Sequence, residues 1–534
     1  MKINNSFKLE QVAIGTIEKM LQVTNANKAA GIDNLPGLFV KDGAELLAPP
    51  LTQIINLSIA SSLFPDPCKI AKLITLFKKG SKTDPKNYRP ISLLPLLSKT
   101  FEKVIHLQTE KFLNNNNILY RNQSGFRPMH STDSCLTHLT DKIQEGCDSG
   151  CHTGMILIDL QKAFDTIDHE ILLQKLSYMN FSPEAISWFK SYLHNRTFRV
   201  SIGSTLSDPG DLKCGVPQGS ILGPLFFLIY INDLPQSVKD CEIRLYAEDT
   251  CISFTHKVVK TIESKLNQDF NSLCDWFVDN KLSIHFGEDK TKTILFSSIN
   301  RSKNADKIVI RRHDIILKQF SIVEYLGCLL DCTLSGEQMA LKVLGKINGR
   351  LKMLYREGKY LTQRLRRMLC NALIQPNFDY ACSAWYPNLS KKLKNKLQIA
   401  QNKCIRFCLF LGNREGIRFK HFKQINWLPV ADRVKEFIAV SAYKFMNDLS
   451  PKYMEDVFKK TNTRASRFTN DVKLFIPLRN NEYGKNCLSY LGATIWNSLD
   501  ILIKQAKNCN TFKHRIKEKY FRYTQRREDN IYAF

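Results

Sequence analysis

The stretch "RLYAEDTCISF", residues 244–254, sets two adjacent acids, Glu248 and Asp249, between segments that favour β-strands. Such a pattern predicts a hairpin whose turn carries both carboxylates. Burying a carboxylate without compensation is costly, and burying two is worse. Two interpretations follow from the spacing alone. The acids form the polar turn of an exposed hairpin, or they share a bound cation.

A third acid favours the cation. Asp159 ends the short apolar run "MILID" (155–159), which predicts a strand. If this strand and the hairpin are neighbours in one antiparallel sheet, their acids converge at one edge, where like charges repel unless a cation lies between them. Mg²⁺ is the natural candidate, because it prefers hard oxygen ligands and is completed by substrate phosphates. Two such ions would support nucleotidyl transfer to a 3′-hydroxyl.

Composition points to a polyanionic partner. The 534 residues include 77 Lys and Arg against 50 Asp and Glu, a formal charge of +27. Nucleic acid is the commonest partner of so basic a chain; a merely soluble surface and an acidic membrane surface are the alternatives. No membrane span is expected, because the longest apolar run, residues 221–231, is shorter than ~18 residues and contains Pro224.

Cysteine usage and the amino terminus indicate the compartment. The 16 cysteines form no Cys-x-x-Cys pair, and residues 1–11 lack the apolar core of a secretory signal. We therefore expect reduced cysteines, mostly in the core, in a cytosolic or nuclear protein.

Strands mix with helices without regular β-α alternation, which predicts an α+β fold with a palm-like unit. The apolar spacing predicts helices over 7–23 and 92–113, and a helix over 44–64 that is broken near Pro49 and Pro50. A strand is predicted at 69–80 and a polar loop at 81–90.

From about residue 335 the chain is predicted to be mainly helical. Within 341–356, one face of the helix is predicted to be apolar and another to carry three cations spaced four apart. The apolar set is Leu341, Leu344, Ile347, Leu351 and Leu354; the basic set is Lys342, Lys346 and Arg350.

Taken in order, the motifs resemble the reverse transcriptases of non-LTR (LINE-type) retrotransposons, in the jockey-like group. Each motif alone is moderately specific, whereas the ordered set is very specific and covers nearly the whole chain. The matching segments are "GIDNLP" (31–36), "NYRPISLL" (87–94), "SGFRPMHST" (124–132), "IDLQKAFDTIDH" (158–169), "GVPQGSILGPLFFLIYINDLP" (215–235), "YAED" (246–249), "NKLSIHFGEDKTK" (280–292), "EYLG" (324–327), "AQNKCIRF" (400–407), "NWLP" (426–429) and "IWNSLD" (495–500).

The resemblance implies a right-hand polymerase with fingers, an antiparallel-sheet palm, a helical thumb and a mainly helical C-terminal extension. Asp159, Glu248 and Asp249 would be catalytic and would ligate two Mg²⁺ ions, with Mn²⁺ as a substitute. The partners would be an RNA template, a DNA primer and dNTPs, without a membrane. We expect a ribonucleoprotein of cytoplasm and nucleus; the oligomeric state stays open.

Further roles are carried over position by position. Phe164 matches the residue that excludes a ribose 2′-hydroxyl, while a plain core Phe is the alternative. Arg89 matches a fingers arginine on the incoming triphosphate. Both Arg89 and its neighbour in that role, Lys78, are also ordinary surface charges.

Two more segments are matched to the same substrate and leaving group. Gln218 and Gly219 match the loop under the nascent base pair, where glycine allows close backbone approach. Lys290 matches a lysine that protonates the leaving pyrophosphate. The basic set Lys342, Lys346 and Arg350 would contact the template and primer backbone, or it is simply a solvated helix face.

The resemblance also divides the chain. Residues 1–55 would be a helical extension before the fingers, 56–332 the fingers and palm, 333–450 the thumb and connection, and 451–534 a basic extension. Within that extension, 512–529 would bind RNA or pack as a surface helix through Phe512, Ile516 and Tyr520.

The chain departs from the family at Glu248, where relatives carry Asp. The extra methylene displaces the carboxylate, and Mg²⁺ tolerates little misplacement, so we expect a severely weakened polymerase. No N-terminal endonuclease or C-terminal zinc knuckle is present in the sequence, which makes autonomous insertion an unexpected activity. The alternatives are a catalytically dead nucleic-acid-binding remnant and, ranked low, a group II intron maturase.

Overall fold

The computed structural model describes residues 5–287, 289–303, 306–461 and 472–531. The chain is a mixture of helices and strands, as the sequence predicts. The described residues divide between two compact units. The first draws on Met1–Phe126, Asp159–Lys239 and Phe270–His285, and the second on Arg127–Ile158, Asp240–Asp269 and Phe286–Phe534. The four linear segments predicted from the sequence remain predictions.

The strands are short, and several are joined by tight turns. In chain order they are β1 (Ile70–Phe77), β2 (Tyr88–Leu93), β3 (His152–Ile158), β4 (Arg196–Ile202), β5 (Thr205–Leu206), β6 (Gly210–Leu212), β7 (Glu242–Tyr246), β8 (Asp249–His256), β9 (Lys292–Phe296), β10 (Ile310–Arg312), β11 (Ile315–Leu317), β12 (Ile322–Tyr325) and β13 (Cys328–Asp331).

The helices dominate the second half of the chain. In chain order they are α1 (Ile14–Gln22), α2 (Gly37–Asp42), α3 (Ala44–Ser61), α4 (Leu96–Asn115), α5 (Thr132–Asp148), α6 (His169–Tyr178), α7 (Pro183–Leu193), α8 (Leu222–Tyr230), α9 (Val259–Asp279), α10 (Ile299–Ser302), α11 (Glu337–Glu357), α12 (Gln363–Leu373), α13 (Gln375–Asp379), α14 (Cys382–Trp385), α15 (Lys391–Leu409), α16 (Phe419–Ile425), α17 (Val430–Met446), α18 (Glu482–Lys485), α19 (Leu488–Asn497), α20 (Ile501–Lys504) and α21 (Cys509–Ile531).

The first unit contains a five-stranded sheet of order β2-β1-β4-β5, with β6 also paired to β4. The β1–β4 pair is parallel and the other pairs are antiparallel. The same unit contains an aromatic cluster in which Phe64 makes edge contacts with Trp188 and Tyr192, at ring-centroid distances of 5.5 and 5.0 Å. Such rings supply much of the apolar burial that holds a unit together.

The second unit contains a four-stranded sheet of order β7-β8-β3-β9, antiparallel throughout. Every residue of β3 is buried, which explains why its sequence is a continuous apolar run rather than an alternating one. The core continues from this sheet and α5 into the helices that follow residue 335. This sheet is therefore fixed by burial on both faces.

Prolines do not break the helix predicted over 44–64: α3 is continuous from Ala44 to Ser61 with Pro49 and Pro50 inside it. That part of the prediction was wrong. Each proline removes one backbone donor, so the carbonyls of Glu45 and Leu46 lose their helical partners. Both residues are exposed, as are the two prolines, and water satisfies exposed carbonyls at little cost.

The predicted loop at 81–90 and helix at 92–113 also need correction, since β2 runs from Tyr88 to Leu93 and α4 begins only at Leu96. Pairing with β1 makes this stretch a strand despite its proline: Pro90 lies opposite Thr75. Among the strands of the described residues, β1 is its only neighbour in the sheet order, and proline is tolerated on an edge strand.

Two predictions about helices differ from the structure in one detail each. The first helix starts at Ile14 rather than residue 7, because Phe7 forms a bridge with Phe181. In α11, Leu341 is exposed, and Val343 is buried beside Ile347, Leu351 and Leu354. The buried stripe is thus displaced toward Met339 and Val343.

The C-terminal region folds back onto α5. Asp148 Oδ1 accepts hydrogen bonds from the backbone N–H groups of Asn480 and Asn481 at 3.0 and 2.8 Å. Asp141 Oδ1 accepts from Ser489 N at 2.7 Å. Burial raises the pKa of the Asp141 carboxyl to about 6.

The basic helix at the C-terminal end, α21, packs through the residues that the sequence indicates. Phe512 and Ile516 are fully buried and Tyr520 is nearly so. The packing interpretation of 512–529 is therefore confirmed for these residues, and an RNA contact by the same segment stays a prediction.

The remaining bulk predictions concern cysteines and membranes. All 16 cysteines are free thiols and most are buried, which confirms the expectation of a reduced core set. No helix in the described ranges is both long enough and apolar enough to cross a bilayer.

Candidate active site

The acid turn is the two-residue loop between β7 and β8. Tyr246 pairs with Asp249, so only Ala247 and Glu248 connect the strands. Ala247 has φ 53° and is 3% exposed. A non-glycine residue in the left-handed region costs about 1 kcal/mol, and such strain persists where the surrounding structure fixes it. The turn is therefore held by the strands on both sides.

The three predicted carboxylates occur where buried strands reach the surface. Ile158, the last residue of β3, pairs with Thr250 of β8, and both are buried. Asp159 is the next residue in the chain after Ile158. Asp159, Glu248 and Asp249 are each partly exposed, so a cation and a substrate can reach carboxylates of this kind.

The backbone after β3 is fixed within the first unit. The carbonyl of Asp159 accepts a hydrogen bond from His285 N at 2.8 Å, and Gln161 N donates to Ser283 O at 2.8 Å. These bonds hold the peptide that carries the Asp159 side chain. The main chain on either side of Asp159 therefore fixes the position of this acid.

Within the described part of the chain, no group of three or more His, Cys, Asp or Glu side chains is arranged to hold a metal ion. The predicted donor set nevertheless fits Mg²⁺ chemically. Asp159, Glu248 and Asp249 offer carboxylate oxygens, the hard ligands that this ion prefers.

Behind the acid turn lies a buried arginine that sequence reasoning missed. Arg244, on β7, is 1% exposed. Its Nη2 donates to Glu242 at 2.6 Å, its Nη1 to Ser253 at 3.1 Å and its Nε to His138 Nδ1 at 3.3 Å. A buried charge needs this degree of pairing. The signal was an arginine inside an otherwise apolar strand.

The predicted 2′-hydroxyl gate, Phe164, is half-buried in an aromatic group of the first unit. Its ring stacks on Phe227 at 4.9 Å between centroids and meets the edge of Phe126 at 6.0 Å. Phe126 is 55% exposed and has φ 54°. Sequence reasoning placed Phe126 in a matching motif but gave it no role; the structure makes it a contact of Phe164.

The loop "CGVPQGS" (214–220) is pinned from two sides, again within the first unit. Gln218 Nε2 donates to Asp165 Oδ1 at 2.8 Å, and Val216 N donates to Phe164 O at 2.9 Å. On the other side, Ser92 N donates to Gln218 O at 2.8 Å. The structure thus brings two predicted substrate residues, Phe164 and Gln218, onto one hydrogen-bonded framework.

Gly219 is required by close approach as well as by conformation. Its φ is 132°, and a Cβ built there would lie 2.4 Å from Ser92 O. Any side chain would push this loop away from β2. The prediction that glycine serves close backbone approach here agrees with the geometry, although its approach is to protein backbone.

The loop also depends on a buried glutamate. Glu102 is fully buried in α4 and accepts hydrogen bonds from Ile221 N and Leu222 N, at the start of α8. A carboxylate is favourable at a helix N-terminus. Burial raises the pKa of this carboxyl, and Arg196 opposes the increase. An acid on the apolar face of α4 was the sequence signal, which we overlooked.

Two predicted phosphate ligands share one face of the β1–β2 hairpin. Leu76 pairs with Arg89, and Lys78 N donates to Asn87 O at 2.8 Å. Side chains two residues apart on a strand project to the same side, so Lys78 and Arg89 lie diagonally across the hairpin. Both are exposed and accessible to a triphosphate.

Lys290 lies in the turn that precedes β9, where Lys290 N donates to Gly287 O at 2.9 Å. The first residue of β9, Lys292, pairs with Leu157, next to the Ile158–Thr250 pair. In the second unit, therefore, the Lys290 turn and the acid turn lie at the same end of one sheet.

The basic set on α11 is only partly available. Lys342 Nζ pairs with Glu324 at 2.8 Å, and Arg350 Nη1 donates to the carbonyl of Leu373. Lys346 is exposed and makes no such contact among the described residues. A phosphate-binding role for the three stays a prediction.

Part of the chain matches a known protein family. Residues 77–330 match the family described as reverse transcriptase (RNA-dependent DNA polymerase). The segment contains β2, the β7–β8 hairpin and the 214–220 loop. Residues 77–330 therefore resemble a reverse transcriptase domain, which implies the polymerase fold, and polymerases of this family generally use divalent metals.

The curated relatives narrow the type. The chain is 27% identical to the probable RNA-directed DNA polymerase from transposon BS of Drosophila melanogaster, over 75% of this chain and 45% of that protein. It is 28% identical to the probable RNA-directed DNA polymerase from transposon X-element of the same species, over 71% and 42%. It is 25% identical to the RNA-directed DNA polymerase from mobile element jockey, over 75% and 44%.

These matches confirm the resemblance to non-LTR retrotransposon reverse transcriptases. The chain spans less than half the length of these three relatives.

Proposed function

We propose that this chain is the RNA-directed DNA polymerase of a non-LTR retrotransposon, which copies an RNA template from dNTPs onto a DNA 3′-hydroxyl. The observation that carries the proposal is the pairing register of the second-unit sheet. Because Ile158 pairs with Thr250, the residue after β3 and the Tyr246–Asp249 turn belong to the same end of adjacent antiparallel strands.

In this proposal Asp159, Glu248 and Asp249 hold two Mg²⁺ ions, or Mn²⁺ as a substitute. Bound there, the ions would activate the primer hydroxyl and stabilise the leaving pyrophosphate. Lys290, at the same end of the sheet as the acid turn, would donate a proton to that leaving group. This separates metal binding from acid catalysis among the chain's own residues.

Substrate selection falls to the first unit. Lys78 and Arg89 bind the triphosphate from the exposed hairpin face, and the guanidinium fork of Arg89 suits phosphate oxygens. Phe164, backed by Phe227 at 4.9 Å, excludes a ribose 2′-hydroxyl by steric clash. Gln218, tied to Asp165, supports the nascent pair together with Gly219.

The proposed architecture is a right hand. In it, the five-stranded sheet would form the fingers, the β7-β8-β3-β9 sheet the palm and the helices from α11 onward the thumb. Lys342, Lys346 and Arg350 would lie toward the template–primer backbone, with Lys346 the most available. We place the protein in a ribonucleoprotein of the cytoplasm and nucleus.

Glu248 reduces the rate in this proposal. The two-residue loop and the buried Ala247 leave the turn no room to retract, so the added methylene moves the carboxylate relative to its ligand position. A misplacement near 1 Å costs ~100-fold in rate. In the alternative, a catalytically dead remnant, the same displacement of the carboxylate abolishes the polymerase rate entirely.

Primer extension on poly(rA)/oligo(dT) with Mg²⁺ tests both statements. We expect slow synthesis by the natural chain and about 100-fold faster synthesis by Glu248→Asp. Asp159→Asn is the inactive control for contaminating polymerase. Equal rates for the natural chain and Glu248→Asp would refute the effect of the glutamate, and no synthesis by either would favour the non-catalytic remnant.

A further inference from the structure

The motif "NWLP" (426–429) has no role in the proposed chemistry, yet it lines a cavity of about 310 Å³ in the second unit. Other walls come from α12, α13, α17 and α21. We call this cavity the Trp427 pocket; its polar lining includes Arg367, Asn371, Gln375, Asn426, Arg433 and Lys517. Its size is near the lower end of small-ligand sites and fits one nucleotide rather than a duplex.

Hydrogen bonds fix each part of the motif. Lys517 Nζ donates to Asn426 O at 2.6 Å, and Trp427 Nε1 donates to Asn371 Oδ1 at 2.8 Å. Leu428 O accepts from Gln401 Nε2 at 2.9 Å. Asn426 has φ 57°, a conformation that Asn tolerates better than most residues. The pocket wall is thus a built structure.

Among the described residues, the lining carries three cations and no acid. Arg433 is neutralised from behind, because its guanidinium pairs with Asp379 at 3.0 Å and with Glu436 at 2.7 Å. Arg367 is exposed and forms no ion pair among the described residues. Burial is the largest cause of the lowered pKa of Lys517, and the carboxylates Glu436, Glu518 and Asp379 oppose it. An anionic group would complete this pair of charges.

The pocket also contains an unused acceptor. Gln375 Oε1 is buried and has no hydrogen-bond partner, while its Nε2 donates to Asp379 at 3.2 Å. Leaving a buried acceptor unpaired destabilises the folded protein. The missing partner is a donor, such as a base N–H or a ribose hydroxyl. A fully ionised inorganic anion supplies no such donor, so the lining fits a phosphate and a nucleoside together.

We propose that the Trp427 pocket binds one unpaired nucleotide of single-stranded RNA, its phosphate at Arg367 and Lys517 and a nucleoside donor at Gln375. The choice of an RNA strand rests on the proposed function; the nucleoside phosphate chemistry does not. This site lies outside the predicted basic set of α11 and uses none of the proposed catalytic residues. Contacts of this kind recognise unpaired RNA in loops and at strand ends rather than RNA duplexes.

Binding of a 5′-labelled 12-nucleotide RNA to the full chain, measured by fluorescence anisotropy without dNTPs, tests the site. We expect Arg367→Gln and Lys517→Gln each to weaken binding about tenfold. Arg367→Gln should also reduce the slope of log Kd against log salt by about 0.7. Arg364→Gln removes the same charge from the same exposed helix one turn away and should change neither.

Four outcomes decide the matter. Equal losses for Arg364→Gln and Arg367→Gln would overturn the pocket, since a diffuse basic surface predicts them. Competition by polyphosphate as strong as by RNA would overturn the nucleoside contact. If AMP displaces the RNA when both are present at the same concentration of nucleotides, the ligand is a free nucleotide. That result would overturn the choice of an RNA strand. Intact RNA binding with no polymerase activity would uphold the pocket while the proposed function fails.

Discussion

The two hairpins that carry the charged residues of the proposed site are held in opposite ways. The β7–β8 hairpin closes through two residues, and Ala247 within it is buried. The β1–β2 hairpin has residues 78–87 between its strands, and β1 becomes exposed toward Phe77. Acids that share metals need positions set to a fraction of an ångström, whereas cations that meet a triphosphate need reach. The fold gives each kind of charge the support its task requires.

The largest effect should come from the short hairpin. Asp249→Asn keeps the shape of the turn but removes a metal-binding charge, and we expect primer extension by the Glu248→Asp background to fall about 10³-fold or more. Steady-state primer extension measures it. Thermal unfolding serves as the control, and its midpoint should not change, because Asp249 is partly exposed. A loss below about tenfold would contradict the assigned role.

The buried surroundings of that hairpin should also make its stability depend on pH. Burial lowers the pKa of His138, which contacts Arg244, to about 4. The unfolded chain binds this proton near pH 6.5, so stability is full above pH 6.5 and falls between pH 6.5 and 4, by about 3 kcal/mol in total. Urea unfolding of the natural chain and His138→Gln measures it.

His138→Gln should flatten the curve across that window. Retention of the full slope in the variant would assign the pH dependence to other groups, such as His130, whose pKa burial also lowers to about 4. The exposed β1–β2 hairpin should contribute nothing to this dependence.

The long hairpin should respond through substrate affinity. Arg89→Ala removes an exposed guanidinium, and we expect KM for dNTP to rise about tenfold with a smaller change in kcat. Single-nucleotide incorporation by the Glu248→Asp background measures both constants. Lys86→Ala, an exposed cation in the same loop, is the matched control; an equal change there would reduce Arg89 to general electrostatics.

The smallest effect should be the release of strain in the acid turn. Ala247→Gly relieves a left-handed alanine, and we expect stabilisation of about 0.5–1 kcal/mol, partly offset by the entropy of glycine. Urea unfolding measures it. Destabilisation by more than about 1 kcal/mol would show that the buried methyl group matters more than the backbone strain.

Sequence patterns predicted the elements whose burial follows their local period. The strands β1, β3, β7 and β8 were found where the sequence predicted strands. The errors share a cause. Pairing with β1 makes residues 88–93 a strand, and solvent exposure of the prolines allows α3 to continue. The local spacing of apolar residues contains neither kind of information.

The site divides similarly. The motifs identified Phe164 and Gln218, and hydrogen bonds within the first unit bring them onto one framework. Glu102 and Arg244 were missed because their roles depend on partners far along the chain: Ile221 N for Glu102 and His138 for Arg244. A single charged residue in an apolar segment was the available signal in both cases.

The hydrogen bonds that join α5 to residues 480–489 have a consequence for biosynthesis. Ser489, which donates a hydrogen bond to Asp141, is synthesised 348 residues after it, and a ribosome adds roughly 5–20 residues per second. The second unit therefore lacks these bonds for on the order of half a minute after α5 leaves the exit tunnel. Newly made chains would depend on chaperones during that interval, and stop codons upstream of this segment would remove the bonds altogether.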